Sequence, residues 1–191
     1  MALLIFAVLS LLVASELQAG VVVGGTRFIF PADRDSISIL LTNTSQESWL
    51  INSKINRPTR WAGDEASTVP APLLAAPPLI LLKPGTTGTL RLLRTESDIL
   101  PVDRETLFEL SIASVPSGKV ENQSVKVAMR SVFKLFWRPE GLPGDPLEAY
   151  QQLRWTRNSQ GVQLTNPTPY YINLIQVSVN GKALRVMLPT Y

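Results

Sequence analysis

The chain contains no cysteine and no histidine among its 191 residues. Without cysteine the fold can use no disulfide, even in a compartment that would permit one. Without histidine it lacks the commonest general base and the commonest transition-metal ligand. Catalysis would have to rest on carboxylate, lysine, tyrosine or serine groups. The available carboxylate pairs, Asp64-Glu65 and Asp103 with Glu105, stand among turn residues, where adjacent charges are ordinarily just solvated. Gly24-Gly25 lacks both the later glycine and the following helix of a phosphate-cradling loop. No enzyme activity and no cofactor are expected.

Concentrated charge is missing too. The 18 basic and 15 acidic residues are spread evenly, whereas nucleic-acid binding calls for a concentrated basic face. No internal repeat, low-complexity segment or convincing amphipathic helix stands out. The apolar run from Met1 to Ala14 (MALLIFAVLSLLVA) falls short of the roughly 20 residues a spanning helix needs. It fits the apolar region of a signal peptide, with cleavage expected after Ala19. No Lys or Arg precedes the run, and Leu17 is larger than the residue favoured at that place. The alternative is a buried N-terminal helix. Glu16 is the only charged residue of segment 1–19, so its removal raises the net charge by one from +3. No membrane span is expected after cleavage.

What is present from Gly20 onward is a succession of short apolar stretches separated by turn residues. Val21-Val22-Val23 and Thr26 to Phe30 open it, and Pro31 to Asp35 turns the chain. Ser36 to Thr42 alternates, with Ile37, Ile39 and Leu41 on one face. Ser48 to Ile55 follows, then a surface loop at 61–67. Four prolines between Val69 and Pro78 exclude a central strand and predict extended backbone at an edge or bend. Leu79 to Leu82 leads into the turn Lys83-Pro84-Gly85, where Pro fixes φ and Gly permits φ > 0. Thr89 to Leu93 and Leu107 to Val115 are further strands. About seven strands in about 120 residues predict an antiparallel β-sandwich of immunoglobulin type over residues 20–140.

One stretch is too long for its surroundings. Val125 to Pro139 (VKVAMRSVFKLFWRP) would run roughly 50 Å as a strand, against a usual five or six residues. Val125, Val127 and Met129 share one face at its start, while both faces turn apolar past residue 132. The pattern predicts a strand exposed at its beginning, along a sheet edge, and buried at its end. A long apolar edge is ordinarily blunted against aggregation, unless it is meant to pair with another chain.

Residues 141–146 read as a linker. Beyond them, Gln152 to Arg157, Val162 to Thr165, Tyr170 to Val179 and Ala183 to Leu188 predict strands again, with a turn at Asn158 to Gly161. Residues 147–191 are too few for the roughly 100 of such a sandwich. The fold class expected is all-β: an immunoglobulin-like sandwich followed by an incomplete second sandwich domain.

Five motifs, in order and spacing, resemble the periplasmic chaperones of the chaperone–usher pilus pathway, the PapD-like family. They are Thr26 to Phe30; Ala76-Pro77-Pro78 with Leu82 to Gly85 and Leu90-Arg91-Leu92; Leu100 to Phe108, close to LPxDRExLF; Phe133 to Pro139, close to KLFYRP; and Asn166 to Tyr171, an NPTPYY. The resemblance covers about residues 20–189 and stops some 40 to 50 residues before a typical member ends, so a C-terminally truncated member is expected. It implies two immunoglobulin-like domains around a cleft, periplasmic location, and pilus subunits and an outer-membrane usher as partners. It also implies that Arg27 and Lys134 anchor the subunit's C-terminal carboxylate, and that Val125, Val127 and Met129 fill the subunit's open groove. Chemically, a carboxylate suits an Arg fork and a Lys point charge; as bare sequence, both could be solvated strand charges. The resemblance also places Glu105 and Arg138 at positions that in the family join an interdomain ionic network, though Asp103-Arg104-Glu105 could equally be a capped turn. A cis bond before Pro77 is implied, and the short loop Pro116 to Ser124 resembles the subgroup serving rod-like pili. The competing reading is a structural pilus subunit or adhesin-type sandwich that self-assembles by strand exchange.

Overall fold

The computed structural model describes residues 20–58, 71–95, 100–118, 126–159, 161–174, 176–179 and 181–184. The expected signal peptide at 1–19, Val125 and most of the loop before it lie outside the described residues. Among the described residues, nine strands build the first unit: β1 (Val21–Val23), β2 (Arg27–Pro31), β3 (Ser36–Asn43), β4 (Trp49–Asn56), β5 (Leu73–Ala76), β6 (Leu79–Leu82), β7 (Thr87–Arg94), β8 (Thr106–Pro116) and β9 (Met129–Arg138). They form two sheets, ordered β1-β3-β7-β5 and β2-β9-β8-β4-β6. The all-β expectation holds, and the only helix among the described residues is a single 3-10 turn at Ala149–Gln152.

Alternation explains how the two sheets meet. Ile39 and Leu41 of β3, Leu90 and Leu92 of β7, Ile51 of β4, Leu110 and Ile112 of β8 and Leu135 of β9 are buried in one core. Each lies two residues from the next on its strand, so one face of each sheet points inward. Phe30 and Trp137 stack with ring centroids 5.3 Å apart, closing the core beneath β2 and β9. Phe28 meets Phe133 edge-on at 5.8 Å. Asn43 is fully buried yet satisfied, donating from Nδ2 to the carbonyls of Leu82 (3.2 Å) and Lys83 (3.0 Å). Buried amides are tolerated when bonded in this way.

The proline-rich segment resolves as its composition predicts. Leu73–Ala76 is β5, an edge strand of the first sheet, and the Ala76–Pro77 bond is cis. At the Pro84-Gly85 turn Gly85 has φ +67°, and Thr86 N–H donates to the Lys83 carbonyl at 3.1 Å. A side chain at 85 would be strained there.

Three expectations need correction. The sandwich is not wholly antiparallel, because β2 pairs with β9 in parallel. The long strand begins in the ladder at Met129 rather than Val125; residues 126–128 stand outside any sheet, and the Lys126 ammonium donates instead to the Gly118 carbonyl at 2.9 Å. Tyr170 to Val179 is not one strand. Among the described residues there, only β12 (Val177–Val179) forms, paired with β13 (Lys182–Leu184), after the hairpin of β10 (Arg154–Asn158) and β11 (Gly161–Thr165). Around Tyr170 and Tyr171 the backbone groups that a ladder would use are taken by side chains: Asn166 Nδ2 donates to the Tyr170 carbonyl at 2.7 Å, and Tyr171 N–H donates to Glu105 at 2.8 Å.

Candidate functional site: the outer face of β2 and β9

Because Leu135 and Trp137 face the core, the intervening residues of β9 face outward. Val132, Lys134, Phe136 and Arg138 therefore share the outer face. The parallel register sets Arg27 opposite Lys134, Ile29 opposite Phe136 and Pro31 opposite Arg138. On the other flank β8 sets Glu109 opposite Lys134 and Leu107 opposite Phe136. A polar row thus crosses the sheet from Arg27 through Lys134 to the buried Glu109.

The two cations differ in their surroundings. Arg27 is exposed, and among the described residues no carboxylate pairs with it. Lys134 is half-buried; burial first, and then the neighbouring Arg27 charge, hold its ammonium below the ordinary lysine value. A like charge alongside disfavours the ionised ammonium until an anion arrives. A guanidinium fork beside an ammonium is a matched receptor for one carboxylate.

Segment 169–173 lies over this face. Glu105, 4% exposed, holds it by backbone and side chain together: its N–H donates to the Pro169 carbonyl at 2.9 Å, and its Oε2 accepts from Tyr171 N–H at 2.8 Å. Its other oxygen, Oε1, accepts from Arg138 Nε at 2.7 Å. Arg138 in turn lies over the Tyr170 ring, 5.4 Å from its centroid. The Tyr170 hydroxyl reaches the carbonyls of Leu142 (3.2 Å) and Gly144 (3.1 Å). The Tyr171 ring packs on Phe136 at 5.4 Å. Glu105 and Arg138, picked out in the sequence, are thus brought together, and Glu105 bonds across to the NPTPYY segment. Asp103 and Arg104 instead form an exposed pair at 2.8 Å.

Along β9 the edge changes character. β2 covers Lys134 to Arg138, whereas among the described residues Met129 to Phe133 pairs only with β8. Among the described residues, no strand pairs with the side of β9 away from β8 over that half. Met129, on the face that is core farther along, is 49% exposed, and Val127, ahead of the ladder, is 64% exposed. Sequence reasoning missed Asn173, whose side-chain oxygen accepts a hydrogen bond from the Lys134 ammonium. Its position two residues after the NPTPYY motif was the only available signal.

Residues 20–143 match the family model for pili and flagellar-assembly chaperones, PapD N-terminal domain, and residues 148–190 match the model for the PapD C-terminal domain of pili assembly chaperones. The chain belongs to the PapD-like pilus-assembly chaperones. This chaperone is 98% identical over 184 residues to the uncharacterized fimbrial chaperone YcbF of Escherichia coli K12, covering 96% of the chain and 78% of that protein. It is 31% identical over 180 residues to the chaperone protein FimC of the same strain, covering 92% and 72%. Among solved structures it resembles the Salmonella enterica SafA pilin–SafB chaperone complex, with TM-score 0.73 and 31% identity over 89% of this chain and 78% of that one. The YadV chaperone structure gives a TM-score of 0.70 at 31% identity, covering 86% and 76%. The family's role is a non-enzymatic one in fimbria assembly, and its members work in the periplasm. The alternative of a structural pilus subunit is set aside by these matches.

Proposed function

We propose that this chaperone captures pilus subunits by two linked contacts. Arg27 and Lys134 hold the subunit's C-terminal carboxylate, and the open half of β9 pairs with the subunit's exposed edge. Val125, Val127 and Met129 then enter the subunit's groove, so that backbone bonds give affinity and alternate side chains give register. The observation that carries this reading is the pairing of Arg27 with Lys134 at the point where β2 cover ends and the β9 edge opens. Residues 1–19 direct export to the periplasm, Glu105 and Arg138 tie the 20–140 domain to the 147–191 domain across linker 141–146, and the loaded chaperone delivers its subunit to an outer-membrane usher. The SafA–SafB complex, a pilin bound to its chaperone, supports the partner class.

The test is co-purification of a co-expressed fimbrial subunit. Arg27→Ala and Lys134→Ala are each expected to lower capture on the order of 30-fold or more, as truncating one side of a desolvated charge pair costs about 2 kcal/mol or more. Their circular dichroism and thermal midpoints should match the wild type. Wild-type yield of the complex with either variant would remove the carboxylate anchor from the mechanism.

A further inference from the structure

We infer that Asn173, hydrogen-bonded to the Lys134 ammonium, is a third reader of the client carboxylate; this rests on the anchor reading above. The geometry is that of two extended segments running in opposite directions. Tyr171 packs on Phe136. Two residues farther along, Asn173 meets Lys134, two residues back on β9. Glu105 fixes the start of the segment at Pro169 and Tyr171, so the Asn173 side chain is delivered to the ammonium by contacts on the far side of Tyr171. Asn173 is itself exposed, so an incoming ligand can reach it.

The chemistry follows from what a carboxamide carries. It has an acceptor oxygen and an N–H2 donor on one planar group, and its terminal torsion is broad and roughly two-fold. The oxygen faces Lys134 and stands in for a carboxylate oxygen without bringing a negative charge. When a terminal carboxylate settles between Arg27 and Lys134, a half-turn of the carboxamide presents N–H2 to it. A carboxylate offers about four lone-pair sites. The Arg fork fills two and Lys134 a third, which leaves one for Asn173. A neutral amide terminus gains less, since its N–H2 opposes the Asn173, Lys134 and Arg27 donors alike. Asn173 is therefore a positioning residue that sharpens discrimination between a free acid and an amide.

The probe is a synthetic alternating Val-Thr peptide with a free C-terminal carboxylate, compared with its amidated twin, by titration into the 15N-labelled full chain. The wild type is expected to prefer the free acid by about tenfold or more, in line with charge-assisted bonding. The Asn173 side-chain amide signals should move with the acid and not with the amide. Asn173→Ala should reduce the preference by about threefold. Asn173→Asp should abolish it, because a resident carboxylate occupies Lys134 permanently. Lys134→Ala separates the two ideas. If it keeps the acid preference, or if the wild type shows none, the anchor reading itself fails. If Lys134→Ala erases the preference while both Asn173 variants retain it in full, the anchor stands and the role of Asn173 is overturned.

Discussion

From Lys134 to Trp137, β9 is hydrogen-bonded to both β2 and β8; from Met129 to Phe133, among the described residues, it is hydrogen-bonded to β8 alone. In the first region the inward residues Leu135 and Trp137 are buried and the outward Phe136 is covered by Tyr171. In the second, Met129 is about half exposed and its outward neighbour Arg130 is exposed as well. The same alternation thus serves a core at one end and an open edge at the other. An apolar residue on a strand becomes structural or available according to whether a neighbouring strand reaches it.

Stability measurements should separate the two regions most widely. Trp137→Ala removes a buried ring stacked on Phe30 and is expected to destabilise the fold by about 3–5 kcal/mol in urea unfolding. Val127→Ala should change it by less than about 0.5 kcal/mol, as exposed substitutions do. Equal losses would abolish the distinction drawn between the halves. Binding reverses the order: Val127→Asp should leave the unfolding midpoint in place and weaken subunit capture by about tenfold, since a charge must then enter an apolar groove. It should also reduce self-association of the free edge, read by sedimentation. Unchanged capture would mean that Val127 is turned away from the client.

The smallest effect expected is with pH. Lys134 titrates below the ordinary lysine range through burial and the Arg27 charge. The carboxylate prefers the protonated ammonium, so capture should decline severalfold as pH rises toward that lowered value. Folding responds with the opposite sign. Between the folded and unfolded values the unfolded chain holds the extra proton, so stability rises with pH there. Lys134→Arg, charged throughout, should flatten the capture profile measured by titration calorimetry.

Much of this was readable in the chain because it is locally encoded. Ile39 and Leu41 alternate with polar neighbours, Pro84-Gly85 dictates a turn, and the prolines around β5 confine it to an edge. Arg27 and Lys134 could be named from motifs, yet neither motif states that they are neighbours. The failure at Tyr170 to Val179 has the same origin. Its β-rich composition promises a strand, but the Glu105 carboxylate, far away in sequence, takes the Tyr171 N–H that a ladder would need.

By itself, then, the sequence determined most of the extending segments of the 20–140 domain, where they turn and which face of each is apolar, because these depend on neighbours one to four residues away. The tertiary structure alone decided that β2 enters parallel beside β9 and that its ladder stops at Arg27, so that among the described residues Met129 to Phe133 has no strand partner on that side. It also decided that Asn173 reaches Lys134. Those outcomes depend on which distant strands and side chains compete for the same backbone groups, and local periodicity carries no record of that competition.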